Sequence, residues 1–300
     1  VTRGQFMPGS TFKPITVLAA LEEGVVKPDE TFTCTGVVRV GNRQLRGNPP
    51  HGKQNVVDGL KNSCNTVMAE LAFRIGPEKL AAYARLLGLG SKTGINLEPE
   101  ELVGLVGDPE WKRKARGEVW YPMETALIAI GQSFVNVTPI QLAQVYAAIA
   151  SGGQVYQPQL VRKITTASGE TVAEFSPKAV RKINVKPESL AVVREGLTKV
   201  VQEGTARYAF AGFPLDQIPV AGKTGTAENV GKNDFAFFAS YAPADDPELV
   251  VVVVIEEGGF GSQAAAPVAR KIYEAYFGLE KPATETTVPL EATDQAVLME

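Results

Sequence analysis

The chain has 300 residues, a hydrophobic fraction of 44%, a charged fraction of 21% and a formal net charge of −3. These values fit a globular protein of one large domain or two lobes on a shared core, and they leave no basic footprint for nucleic acid. Apolar runs such as Leu249 to Ile255 fall far short of the roughly 20 residues a membrane span needs.

The chain opens Val-Thr-Arg without an initiator methionine, so its true start is expected upstream and targeting segments are not legible here. The two cysteines, Cys34 and Cys64, and the single histidine, His51, lack CxxC or HxxxH spacing. They suggest two unpaired thiols and a surface histidine, not a metal set; one disulfide stays open for an oxidising compartment. No metal or cofactor is expected.

In chain order, the first element is a buried helix. Ile15, Val17, Leu18, Ala19, Ala20 and Leu21 leave no wide polar face. Pro14 belongs in a first helical turn, so the helix should begin near Ser10 and stop at Gly24. Residues 25–55 read as loop with short strands. A helix is expected from about Asp58, broken near Asn62 to Asn65 and resumed through Val67 to Arg74; Pro77 opens another that stops at Gly88. Thr138-Pro139-Ile140-Gln141 is a capping box for a helix running to about Ser151. Gln159 to Thr166 and Thr171 to Phe175 flank Ser168-Gly169 as a hairpin, and Pro187 to Gln202 is helical. Three strands follow at Ile218 to Ala227, Asp234 to Ala242 and Leu249 to Glu256. A closing helix spans Ala264 to Phe277, and the acidic, polar tail from about Lys281 is expected to be disordered. Helices followed by consecutive strands give an α+β fold with an antiparallel sheet.

Three short patterns carry chemistry. Ser10 and Lys13, three apart on one helical face, can share a cleft. At a helix N-terminus, free N–H groups favour developing negative charge on or near Ser10. A lysine in apolar surroundings loses its charge readily and can then deprotonate a serine. Taken alone, these two residues also fit a helix cap beside a snorkelling lysine. Ser63-Cys64-Asn65 is an S-x-N at a break between helices, which alone also fits an N-cap cluster. K-T-G occurs twice: Lys92 to Gly94 reads as a turn, whereas Lys223 to Gly225, followed by Thr226, opens the run of strands. There a lysine, two hydroxyls and a glycine could hold an extended substrate with a carboxylate end.

The ordered set S-x-x-K, S-x-N, K-T-G is shared by class A β-lactamases and penicillin-binding proteins. Fifty-three residues separate Ser10 from Ser63, and 160 separate Ser63 from Lys223. With PGSTFKP, HG followed by SCNT, GQSFVNVTPIQLAQVYAAIASGG, VAGKTGTAE and AAPVARKI, the chain resembles the transpeptidase domain of class B, elongation-type penicillin-binding proteins, the penicillin-binding protein 2 branch. The resemblance covers residues 1–280 and leaves out 281–300. Cys64 holds the middle of the second motif, where many relatives carry another small or polar residue.

The resemblance implies a β-lactamase/transpeptidase-like fold, with an antiparallel sheet flanked by helices and an all-α lobe. It also implies that N-terminal strands of the sheet precede Val1. Ser10 would attack the D-Ala-D-Ala bond of a peptidoglycan stem peptide, with Lys13 as its base. Ser63 and Lys223 would relay a proton to the leaving D-alanine, while Asn65 would hold Lys13 and the substrate amide. Thr224, Gly225 and Thr226 would bind the substrate edge and its carboxylate, and the Ser10 and Thr226 N–H groups would form the oxyanion hole. A second stem peptide's amine would take the acyl group, in cell-wall elongation; β-lactams would acylate the same serine. Implied partners are stem peptides, β-lactam antibiotics and a SEDS-family glycosyltransferase in the membrane. The implied location is the extracytoplasmic face of the inner membrane, through an N-terminal anchor. A D,D-carboxypeptidase, a serine β-lactamase and a β-lactam sensor stay open. Against the β-lactamase, Glu98, Glu100 and Glu101 lack the E-x-x-x-N form of a deacylating loop.

Overall fold

The computed structural model describes residues 1–279 except 48, 98, 229 and 230; the expected disordered tail lies outside the described residues. Helix α1 (Lys13–Glu22) is buried from Lys13 to Leu21, as a helix apolar on all sides must be. It does not begin at Ser10. Residues Gly9–Phe12 form a 3₁₀ turn whose last bond runs from Lys13 N–H to the Ser10 carbonyl. Pro14 explains the shift: it has no N–H to offer that carbonyl at the α-helical spacing, so Lys13 takes it one residue earlier. Gly24, at φ +65°, ends the helix as expected.

The chain continues through α2 (Val56–Lys61), α3 (Asn65–Ile75), α4 (Pro77–Leu86), α5 (Pro109–Arg116), α6 (Pro122–Ile128), α7 (Pro139–Ala150), α8 (Pro187–Gln202) and α9 (Ala265–Tyr276). Helix α1 packs on α3, α4 and α8, and α3 also meets α6, which forms the helical lobe. The α7 start is the expected capping box: Thr138 Oγ1 accepts from Gln141 N, and Gln141 Oε1 accepts from Thr138 N at 2.9 Å. The sequence reading assigned nothing to α5 or α6. Each begins on a residue–proline pair: Asp108 accepts from Trp111 N at 2.7 Å, and Glu124 reaches back to Tyr121 N at 2.8 Å.

The main sheet has three antiparallel strands, Ala221–Ala227, Phe235–Ala242 and Leu249–Ile255, with Phe235–Ala242 in the middle. Its two faces read straight from the strand's period of two. Phe237, Ala239 and Tyr241 belong to the core that contains α1, α3 and α7; Ala236, Phe238 and Ala242 belong to a second core with Tyr273 of α9. Ser240, on the α9 face, hydrogen-bonds Tyr273 Oη at 2.8 Å. The expected hairpin forms as Lys163–Thr165 with Thr171–Glu174. A strand absent from the sequence reading, Lys178–Lys182, pairs with Gln154–Gln157. The ribbon Phe32–Cys34 with Gly52–Gln54 lies against α3.

Candidate active site

A cleft of about 350 Å³ opens between the 3₁₀ turn, the α2–α3 junction and the strand Ala221–Ala227. Ser10 lines it, with Ser63 and Asn65 on one side and Thr224, Gly225 and Thr226 on the other. Three separate pieces of chain thus meet at one hollow. The strand approaches the turn closely enough that a Cβ on Gly225 would lie 3.0 Å from Thr11 Cγ2 and 3.1 Å from the Pro8 carbonyl oxygen. Glycine is therefore what allows this contact.

Lys13 and Lys223 are wholly buried and are not among the residues that line the cleft. Lys13 Nζ donates to the Ser63 carbonyl at 2.6 Å and to Asn65 Oδ1 at 2.7 Å, and lies 3.0 Å from Ser63 Oγ. The backbone bends to supply this set: Ser63 sits at φ +55°, a left-handed conformation that costs a non-glycine residue on the order of 1 kcal/mol. The bend lets a carbonyl, a hydroxyl and an amide converge on one nitrogen. Burial pulls Lys13 from its ordinary 10.5 down to about 7, partly opposed by the Cys64 and Cys34 thiols. Burial, and then the charge of Lys13, holds Lys223 well below its ordinary value. A neutral Lys13 keeps two N–H donors for the carbonyl and the amide oxygen, which leaves its lone pair for a hydroxyl proton. Lys223 Nζ donates to the Thr224 carbonyl at 3.2 Å.

The other K-T-G is a turn: Glu101, buried, accepts from Thr93 N, Thr93 Oγ1 and Gly94 N at 2.6–2.9 Å. Both Glu101 oxygens are thereby engaged, and Glu100 pairs with Lys92 at 2.5 Å. Sequence reasoning missed several cleft residues: Gln132, Thr205, Phe260 and Ser262. Thr205 Oγ1 lies 2.6 Å from Thr224 Oγ1. Gln132 falls within the quoted GQSFVN stretch, where no site role was assigned to it; Thr205, Phe260 and Ser262 come from loops far apart in sequence, and no local pattern marks them.

The two thiols are free, as expected, but the histidine departs from expectation. Both thiols are buried, and the half-buried His51 is no isolated surface residue, since its Nδ1 lies 3.5 Å from Cys34 Sγ. Among the described residues, Cys34, His51 and Cys64 are the one group of three donors gathered closely enough to hold a metal. Burial raises Cys64 to about 11, helped by its contact with Cys34. For Cys34 burial acts upward too, but hydrogen bonds from Cys64 and from the backbone at His51 and Gly36 outweigh it and lower the thiol.

Comparison with known proteins places this geometry in a family. Residues 1–274 match the model of the penicillin binding protein transpeptidase domain. The chain is 32% identical to the peptidoglycan D,D-transpeptidase MrdA of Haemophilus influenzae, over 97% of this chain and 47% of that protein. It is 38% identical to stage V sporulation protein D of Bacillus subtilis, over 89% of this chain and 41% of that protein. It therefore spans about half the length of these curated relatives. The crystal structure of Pseudomonas aeruginosa PBP2 in complex with WCK 5153 is similar over 92% of this chain and 62% of that one, with a TM-score of 0.81 and 35% identity. A peptidoglycan synthase complex that coordinates polymerization and crosslinking contains a chain with a TM-score of 0.82 and 38% identity, over 93% of this chain and 48% of that one. Match length, identity and fold agree: the chain belongs to the penicillin-binding protein transpeptidase family.

Proposed function

We propose that this chain is the catalytic domain of a peptidoglycan D,D-transpeptidase that cross-links stem peptides through an acyl-enzyme on Ser10. The observation that carries the reading is the buried Lys13, drawn down to about 7 and held by Ser63 and Asn65 beneath a cleft that Ser10 lines. A lysine neutral near pH 7 can take the Ser10 proton as Oγ attacks the D-Ala-D-Ala carbonyl. The Ser10 and Thr226 backbone N–H groups then face the oxyanion. Ser63, in contact with Lys13, passes a proton to the leaving D-alanine, and Lys223 supports that transfer from below. Thr224 and Thr226 hold the substrate carboxylate, and Gly225 lets the peptide lie close to the strand. An amine from a second stem peptide takes the acyl group. β-Lactams enter by the same attack on their ring carbonyl and form an ester on Ser10.

Kinship with MrdA and with a chain of a peptidoglycan synthase complex that coordinates polymerization and crosslinking supports a role in cell-wall synthesis beside a polymerising partner, which this reading takes to be a membrane glycosyltransferase of the SEDS family. Among the described residues, no helix is long and apolar enough to cross a membrane; the anchor to the extracytoplasmic face would lie upstream. The test is incubation with penicillin followed by intact-mass measurement, then turnover of a D-Ala-D-Ala pentapeptide with and without an amine acceptor. One penicillin mass per chain, lost in Ser10→Ala, and a product that incorporates the amine are expected. An adduct that survives Ser10→Ala refutes the assignment, and release of D-alanine with water alone makes the protein a carboxypeptidase.

A further inference from the structure

The proposed acylation leaves three buried or half-buried groups unused, and they sit directly behind the second motif. Cys34 ends the strand Phe32–Cys34 and is 3% exposed; Cys64, between Ser63 and Asn65, is 0% exposed. The thiol sulfurs and a ring nitrogen of His51 all lie within 4.8 Å of one another, and both thiols are free. Closing such a pair to a sulfur–sulfur bond of about 2.05 Å needs a movement of less than about 3 Å. The strand that carries Cys34 belongs to a ribbon of only two strands, which resists displacement less than the main sheet does.

We propose that Cys34 and Cys64 form a reversible disulfide that holds the site in an inactive state. The oxidant is a small disulfide such as oxidised glutathione. His51 Nδ1, 3.5 Å from Cys34 Sγ, accepts the Cys34 proton in the tautomer that carries its own hydrogen on Nε2. The Cys34 thiolate attacks one glutathione sulfur, the glutathione S–S bond breaks, and one glutathione leaves as thiolate. Cys64 then loses its proton and attacks the Cys34 sulfur of the mixed disulfide, which expels the second glutathione. Two protein thiols are oxidised, one glutathione disulfide is reduced to two thiols, and the two protons end on those products.

The consequence follows from position. Cys64 is the N-cap of α3, and its two neighbours supply all three partners of Lys13 Nζ. Drawing Cys64 toward Cys34 shifts Ser63, already in a left-handed conformation, and Asn65 with it. Lys13 then loses its positioning, and a displacement of about 1 Å at a reacting group is enough to slow a reaction by about a hundredfold. The effect on acylation rests on the reading of Ser10 and Lys13 given above; the disulfide itself does not.

The experiment treats the reduced chain with oxidised glutathione, then measures intact mass, free thiols in denaturant and the rate of acylation by a fluorescent penicillin. The expected product is lighter by two hydrogens, has no titratable thiol, and is acylated at least about tenfold more slowly; dithiothreitol restores the rate. Cys34→Ser and Cys34→Ala should be acylated at the same rate before and after treatment. Two thiols that stay free, a glutathione adduct without closure, thiols that react only after a chelator is added, or a closed disulfide with unchanged acylation would each overturn the proposal. Failure of the reduced chain to react with penicillin counts against the acylation reading alone, since the mass and thiol measurements still decide whether the bond forms.

Discussion

The sharpest consequence of the buried Lys13 is a pH profile. Moving a lysine from 10.5 to about 7 raises its neutral fraction at pH 7 from about one in three thousand to about one half. The perturbation is therefore pH itself, between 5 and 9, read by the second-order rate of acylation with a fluorescent penicillin. The rate should be level above about pH 8 and fall about tenfold per pH unit well below 7, because each step removes neutral Lys13 in proportion. Folding stability carries the same signature. Because the native pKa is depressed, the unfolded chain binds a proton that the native chain lacks between about pH 7 and 10.5. Stability should thus rise with pH across that window, by up to about 1.4 kcal/mol per pH unit from this residue. The burial cost at pH 7 is on the order of 4 kcal/mol, retained because it keeps a base ready beneath Ser10. An acylation rate that is flat from pH 5 to 9, or that climbs only toward pH 10, would refute the reasoning.

Lys13→Arg should fold yet fail to be acylated, since a guanidinium keeps its proton in a protein; acylation near the parent rate would show that another group is the base. Gly225→Ala should slow acylation far more than it lowers the melting temperature, because the new methyl meets the Pro8–Thr11 turn at 3.0–3.1 Å; thermal melts and acylation rates measured side by side check this. Phe238→Ala, in the core between the sheet and α9, should cost about 3–5 kcal/mol in a urea titration. The penicillin adduct should persist for hours by intact mass, and rapid hydrolysis with many turnovers would favour a β-lactamase.

Local sequence determined the elements and much of the cleft by itself. The apolar stretch after Pro14, the Thr138–Gln141 box and the alternating residues of Phe235–Ala242 each encode their element within one or two turns of chain, so period and capping suffice. Helices α5 and α6 carried cap signals of the same kind at Asp108-Pro109 and Pro122-Met123-Glu124, but lacked an apolar stripe long enough to announce them. The three motifs could be ordered, yet their meeting could not be derived from spacing: it depends on the left-handed bend at Ser63 and on the missing side chain at Gly225. Tertiary structure alone decided that Lys13 is wholly buried and that Ser63 joins Asn65 in holding its nitrogen, because desolvation is a property of everything packed around α1. The same holds for Thr205 against Thr224, and for Cys34, His51 and Cys64. Residues dozens of positions apart come within bonding distance only when a ribbon and a helix N-terminus pack, and a sequence records neither the approach nor the burial that sets their chemistry.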